Sequence, residues 1–199
     1  MQRNKVTRMT TIAVCAAMGM VLQFIAIPFP VFSFLKIDFS DLPVLISMFL
    51  FGPAAGIFTA FIRSFLHLLL TGMDPANIVG DIASFIATSA FTLPIYYFFR
   101  KGLTRKNKAL GVVSGTLLMT AIMSIANYLV ITPLYLTFFG LTAQKMLGMN
   151  LASYVAVGVL PFNLIKGLIV SVVFLVFHAK LLPWLSQKQH VHSVVINHK

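Results

Sequence analysis

Long apolar runs separated by short polar stretches dominate the chain. A membrane-spanning helix needs about 20 apolar residues, within a range of about 17–25. We interpret six runs as membrane crossings: residues 9–27, 42–51, 54–70, 78–99, 110–131 and 151–182. The second run is short and is followed by Gly52 and Pro53, which predicts a short tilted helix and then a tight turn. A broken hairpin that enters the membrane without crossing it is the alternative for this run.

The charged residues divide unevenly between the predicted loops. Of 15 basic residues, eleven lie in segments that we place inside, whereas Lys36 and Lys145 lie in loops that we place outside. All four acidic residues are aspartates in or next to the outer loops. Because Lys and Arg in short loops favour the cytoplasmic side, this asymmetry predicts six crossings with both termini in the cytoplasm. The outer loops are then 28–41, 71–77 and 132–150, and the loop 100–109 lies inside.

Composition sets the class of protein. The chain is 59% hydrophobic and 10% charged, against about 25% charged residues in typical globular chains. We therefore predict an all-α integral membrane protein with one transmembrane domain, residues 1–185, and a polar cytoplasmic tail, residues 186–199. The net charge of +11 does not indicate a nucleic-acid partner, because the positive charge clusters at helix ends on one side. The partner that it indicates is the lipid bilayer.

Polar residues recur at helical spacing on the last three predicted spans. These stripes comprise Asn77, Asp81, Ser84 and Thr88, then Thr116, Thr120, Ser124 and Asn127, then Asn163, Lys166 and Gly167. Residues three or four apart share a helix face, and lipid cannot satisfy polar groups, so the stripes should face one another. The serines and threonines suit hydrogen bonds that only hold the bundle together. The larger polar side chains favour a ligand site, in which Lys166 pairs with Asp81 directly or through the ligand.

The first outer loop contains four aromatic residues, Phe29, Phe32, Phe34 and Phe39. Such a loop would be poorly solvated if exposed. It forms an aromatic belt in the membrane interface or covers a ligand pocket as a lid, and we favour the lid. The alternation around residues 33–38 predicts a small extended element.

Arg63 lies in the middle of the third span, one turn before His67. A charge at that depth is costly and is a functional candidate by default. We favour a structural role, in which the guanidinium snorkels or is neutralised by an outer-loop aspartate such as Asp38 or Asp74.

Enzyme signatures are missing from the sequence. We find no glycine-rich phosphate loop, no His-Glu-x-x-His metal motif and no paired membrane carboxylates. We therefore expect no catalytic residues, no resident cofactor and no metal site. Active transport would need energy from a partner or from an ion gradient. Two other classes stay open: an ion-coupled carrier working alone, with Asp81 or the Arg63–His67 pair relaying protons, and a membrane enzyme acting on lipid, for which Ser114 or His67 lacks an evident partner.

Several segments together carry a family resemblance. The first span presents Ala13 and Ala17 as a small-xxx-small pair, which allows close helix approach. The aromatic first loop continues into Lys-Ile-Asp-Phe-Ser-Asp-Leu-Pro at 36–43 and Phe-Gly-Pro at 51–53. Asn-Tyr stands at 127–128 and Pro-Phe-Asn-Leu-Ile-Lys-Gly at 161–167. Over nearly the whole chain up to about Trp184, this combination resembles the substrate-binding subunit of an energy-coupling-factor (ECF) transporter, in its riboflavin-specific branch.

The resemblance implies a function and a set of partners. It implies a multi-pass protein of the bacterial cell membrane that captures riboflavin at the outer face, between the first loop and the last three helices. Ala13 and Ala17 would contact a transmembrane coupling subunit that is joined to two cytoplasmic ATPase subunits. A subunit for another vitamin is the alternative within the family. The substrate-binding residues that we predict are Phe32, Leu35, Lys36, Asn77, Asp81, Asn127, Asn163 and Lys166.

Overall fold

Nine helices account for most of the residues that the computed structural model describes, which are 2–180. The long helices are α1 (Gln2–Phe24), α3 (Pro53–Thr71), α4 (Pro75–Arg100), α5 (Arg105–Ala126) and α9 (Leu160–Lys180). The shorter ones are α2 (Asp41–Phe51), α6 (Thr132–Phe139), α7 (Ala143–Leu147) and α8 (Leu151–Tyr154). Side chains of Asp74, Thr104 and Asn150 accept hydrogen bonds from the first turns of α4, α5 and α8, as N-cap residues do.

Five stretches are long and apolar enough to cross a membrane: Lys5–Phe24, Pro53–Thr71, Pro75–Arg100, Arg105–Phe139 and Ala143–Ala179. This confirms an all-α, multi-pass membrane protein. The 11 residues of α2 span about 16 Å, roughly half of the ~30 Å hydrocarbon core. The count of six crossings and the side of the termini therefore stay predictions. The predicted tail, residues 186–199, lies outside the described residues.

The turn between α2 and α3 is as tight as predicted. Gly52 is the single residue between the two helices, and its φ of +94° is one that other residues rarely adopt. Pro53 opens α3, where its missing N–H costs nothing.

The prediction of a loop over residues 132–150 is wrong for its first part, because the helix of the fifth span continues to Phe139. A π-helical segment, Asn127–Ile131, joins α5 to α6, and a second one, Val155–Val159, joins α8 to α9. Each is followed after one residue by a proline, Pro133 or Pro161. A proline interrupts an α-helical hydrogen-bond ladder, and the wider π turn lets the chain restart a helix with the proline near its first position.

The main core lies between α2, α4, α5 and α9. Its fully buried members include Leu45, Phe91, Ile95, Met119 and Phe174. Close contact between α5 and α9 depends on Gly167, since a Cβ there would lie 2.7 Å from Thr116 Cγ2.

The first loop folds back over α8 and the start of α9. The short strands β1 (Ile27–Pro28) and β2 (Lys36–Ile37) pair antiparallel, with Ile27 opposite Ile37, which confirms the extended element. The ring of Phe29 packs edge-on against Phe162 at 5.6 Å, and that of Phe32 against Tyr154 at 5.1 Å. The loop is thus anchored on α8 and α9.

Candidate ligand-binding site

A cavity of about 480 Å³ lies beneath the first loop, between α4, the α5–α6 helix and the α8–α9 helix. This volume is within the ~300–1,000 Å³ that small-molecule pockets occupy. The wall is largely apolar, and its aromatic members are Phe34, Tyr135, Phe139, Tyr154 and Phe162. Its polar members are Lys36, Ser84, Asn127, Thr132, Asn163 and Lys166. A few polar groups converging on an apolar wall are the usual form of such a site.

Lys166 is held at the cavity wall by an ion pair with the first loop. Its Nζ lies 3.0 Å from Asp38 Oδ2, and both side chains are largely buried. Burial alone would raise the pKa of Asp38, but the charge of Lys166, the hydrogen bond from Ser40 and the charge of Arg63 together hold that pKa below its usual value. The ammonium carries three N–H donors, so those not used by Asp38 can serve a ligand.

Two asparagines on the cavity wall have their amide groups oriented by the backbone. Asn163 Nδ2 donates to Val159 O and Asn127 Nδ2 to Met123 O, each at 2.8 Å. A carbonyl oxygen can only accept, so the amide nitrogen must face it and the amide oxygen must point elsewhere. Asn127 Oδ1 accepts from Thr132 at 3.2 Å, whereas among residues 2–180 we find no hydrogen bond to Asn163 Oδ1. Asn163 therefore offers the cavity an acceptor.

The loop residues divide between the wall and its support. Leu35 and Lys36, two of the predicted substrate-binding residues, line the cavity. Phe32 does not; it is buried behind the wall, where the absence of a side chain at Gly158 makes room for its ring. The ring of Phe32, a predicted substrate-binding residue, packs against Tyr154 of α8 rather than on the cavity, and the neighbouring Phe34 lies on the wall.

Asp81 and Asn77, two further predicted substrate-binding residues, are not brought to the cavity wall. Asp81 accepts from Gln23 Nε2 at 3.2 Å and lies 2.9 Å from His67 Nδ1. The direct pairing of Asp81 with Lys166, one of the two predicted alternatives, is therefore wrong. Asn77 holds the start of α4, because its Nδ2 donates to the Thr71 carbonyl at 3.0 Å. Asp81 thus faces α1 and α3, and Asn77 faces the loop before α4.

Arg63 is fully buried and does not snorkel. Its carboxylate partner is Asp41, 3.4 Å away, rather than Asp38 or Asp74. Asp74 instead caps α4. An aspartate of the predicted loop 28–41 therefore neutralises the arginine, as predicted, although it is neither of the two aspartates named as examples.

Sequence reasoning missed several contributors to the site, among them three aromatic residues of the α5–α6 and α8–α9 helices. Tyr135 and Phe139 lie on the helix that was predicted to be a loop, and Tyr154 lies just before the second π-helical segment. Continuing the helical spacing of the polar stripe on the fifth span from Asn127 through residue 135 would have found Tyr135. Nothing in the local pattern indicates that Asp38 reaches Lys166, which lies 128 positions away.

The small residues of α1 divide between two faces. Ala13 and Ala17 are exposed, whereas Ala16 and Gly19 are buried against the rest of the bundle. Ala13 and Ala17, the predicted contacts of the coupling subunit, therefore present small side chains on the outward-facing surface of α1.

Comparison with known proteins agrees with this architecture. Residues 7–177 match the family described as ECF transporter, substrate-specific component. The riboflavin transporter FmnP of Bacillus subtilis (strain 168) is 37% identical over 189 residues, covering 94% of this chain and 98% of that protein. The riboflavin transporter RibU of Staphylococcus aureus (strain TCH60) is 37% identical over 188 residues, covering 94% and 95%.

A solved structure gives the same result. It is described as the S component of a bacterial ECF transporter, and it superposes with a TM-score of 0.75 at 34% identity, covering 91% of this chain and 98% of that one. The matched family consists of transport subunits, not enzymes. The resemblance seen in the sequence is confirmed: this chain belongs to the family of substrate-specific components of ECF transporters.

Proposed function

We propose that this protein is the riboflavin-binding subunit of an ECF-type vitamin uptake transporter in the bacterial plasma membrane. One observation carries the proposal. A cavity of about 480 Å³ with aromatic walls and convergent polar groups lies in a chain whose relatives at 37% identity are named riboflavin transporters. We infer that the cavity receives the flavin from the outer face.

The polar groups on α9 match the edge of a flavin ring. Asn163 and Lys166 are three residues apart and so share a helix face, presenting an acceptor, Oδ1, beside a donor, Nζ. The pyrimidine edge of riboflavin alternates carbonyl oxygens with an N–H. The Lys166 ammonium can donate to a ring carbonyl while Asn163 Oδ1 accepts from the adjacent N–H. A ligand without such an alternating edge would leave one of these buried groups unpaired.

The aromatic and aliphatic wall suits the faces of the ring. Phe34 and Leu35 from the first loop and Phe162 from α9 supply apolar surface, and aromatic side chains pack favourably on flat π-systems. Because Phe34, Leu35 and Lys36 line the cavity, we infer that the first loop covers it as a lid from the outer side. Its anchor is the Asp38–Lys166 ion pair.

A titration tests this assignment. We expect riboflavin fluorescence to be quenched on addition of the purified, ligand-free protein, with a stoichiometry of one. Thiamine and biotin, which lack the flavin edge, should not compete. Competition by another vitamin at lower concentration than riboflavin would reassign the subunit to that vitamin.

We further propose six crossings with both termini in the cytoplasm, and docking to a transmembrane coupling subunit joined to two ATPases. The uneven distribution of basic residues supports the orientation. The outward-facing Ala13 and Ala17 support a close helix contact with the coupling subunit. The family described as a substrate-specific component supports the need for such a partner.

An ion-coupled carrier working alone is the second candidate, and the partly buried His67–Asp81 pair is the observation that favours it. Uptake of riboflavin by vesicles that contain this protein alone separates the two. The ECF proposal expects binding without accumulation, and accumulation driven by a pH gradient would support the carrier.

A further inference from the structure

Arg63 is at the centre of a polar network outside the cavity. Its side chain is fully buried between α1, α2, α3 and α4. The fit is close, since a Cβ at Gly19 of α1 would lie 3.1 Å from Arg63 Cδ and 3.3 Å from Ser40 O. The guanidinium has fixed donor directions, so its partners are held in place. Those partners are Ser40 and Asp41 on Nη1, and Ser64, Ser84 and Thr88 on Nη2.

One branch of this network continues through the first loop to Lys166 on the cavity wall, whereas Ser84, a partner of Nη2, lies on that wall itself. Arg63 Nη1 donates to Ser40 Oγ at 2.6 Å, and the same hydroxyl donates to Asp38 Oδ1. The backbone N–H of Ser40 donates to that oxygen as well, at 2.9 Å. The other carboxylate oxygen of Asp38 pairs with Lys166 Nζ at 3.0 Å.

The direction of every hydrogen bond in this branch is fixed by chemistry. Arginine and lysine can only donate, an ionised carboxylate can only accept, and a hydroxyl can do both. Ser40 is therefore the required link, because it accepts from the cation and donates to the carboxylate. Two cations, Arg63 and Lys166, thus balance two carboxylates, Asp38 and Asp41.

We propose that Arg63 is a positioning residue of the ligand site: through Ser40 it fixes Asp38, and Asp38 fixes the ammonium of Lys166 at the cavity wall. A lysine side chain has a flexible four-carbon stem. The position of its ammonium therefore depends on how firmly its carboxylate partner is held. The charge of Arg63 also contributes to the lowered pKa of Asp38, which keeps that partner ionised. This inference rests on the proposed flavin-binding function.

Two matched serine variants test the inference without removing the buried arginine. Ser40→Ala deletes the hydroxyl that links Arg63 to Asp38. Ser64→Ala deletes another hydroxyl on the same guanidinium, 3.3 Å from Nη2. Among the described residues, the Ser64 hydroxyl makes no further hydrogen bond. We expect Ser40→Ala to weaken riboflavin binding about tenfold, equivalent to about 1.4 kcal/mol. Ser64→Ala should stay within about twofold of the wild type.

The absorbance spectrum of the bound flavin supplies a readout that general loosening would not change. Charges near the ring tune its electronic properties, so the Ser40→Ala complex should shift towards the spectrum of the Lys166→Met complex. The Ser64→Ala complex should keep the wild-type spectrum. Arg63→Lys keeps the charge but loses the guanidinium, whose two terminal nitrogens donate to separate groups of partners. It should therefore weaken riboflavin binding and shift the spectrum as Ser40→Ala does.

A double-mutant cycle completes the test. If the effect of Ser40 passes through Lys166, then Ser40→Ala adds little in a Lys166→Met background, because coupled residues are not additive. Equal losses in both backgrounds, or equal effects of Ser40→Ala and Ser64→Ala, would overturn the positioning role. Absence of riboflavin binding by the wild-type protein would instead refute the proposed function, so the two failures are distinguishable.

Discussion

Replacing Asn163 by alanine tests the acceptor that α9 presents to the cavity. The side chain is buried, its Nδ2 is committed to Val159 O at 2.8 Å, and its Oδ1 is available to the ligand. The variant would leave a buried donor of the bound ligand unsatisfied, at a cost of about 1–3 kcal/mol. That range corresponds to roughly 5- to 150-fold weaker binding. In the ligand-free protein only the bond to Val159 is lost, so stability should fall by about 1 kcal/mol.

Fluorescence quenching of riboflavin measures the affinity, and thermal unfolding in the same detergent measures the stability. Ser171→Ala is the matched control, because Ser171 is a buried polar residue two turns further along α9 whose Oγ has no partner among the described residues. We expect the control to bind riboflavin as the wild type does. An Asn163→Ala protein that folds and keeps wild-type affinity would refute the assignment of Oδ1 to a ligand donor.

Three further predictions concern topology, docking and pH. Cysteines placed at Asn107 and Gly140 in a cysteine-free background should react with an impermeant reagent from opposite sides, and reaction of both from outside would exclude the proposed orientation. Ala13→Trp combined with Ala17→Trp should leave riboflavin binding near normal but abolish uptake and co-purification with the coupling subunit; normal uptake at wild-type expression would rule out this docking face. The folded-state pKa of Asp38 lies below its unfolded value of 3.8, so its contribution to stability is present above about pH 4 and is lost as the pH falls through the folded value. Thermal unfolding between about pH 5 and about pH 2 should show this loss in the wild type but not in Asp38→Asn, and parallel curves for the two proteins would contradict it.

Hydrophobic length and helical spacing predicted much of the bundle and the part of the site that lies on α5 and α9. Asn127, Asn163 and Lys166 were recognisable because larger polar groups on an apolar span must find polar surroundings. The continuation of α5 into α6 was not predicted, because Pro133 is typical of a helix end. The π-helical segment before it removes that conflict, and such a segment leaves no periodic signal in a short stretch of sequence.

The partners of the buried charges could not be predicted from spacing. A stripe shows which residues share a helix face, but not which neighbour that face meets. The polar face of α4 turns towards α1 and α3, so Asp81 meets Gln23 and His67. Lys166 meets Asp38 because the first loop folds over α9, and a pairing over 128 positions depends on the whole fold.

The absorbance spectrum of the purified protein is the most direct test of riboflavin binding. The protein would be incubated with riboflavin and passed through a gel-filtration column to remove free ligand. We predict flavin absorption bands that co-elute with the protein at one flavin per chain, and their loss after unfolding and dialysis. A folded protein that elutes without flavin absorbance, at riboflavin concentrations that saturate a known riboflavin transporter, would contradict the proposed function.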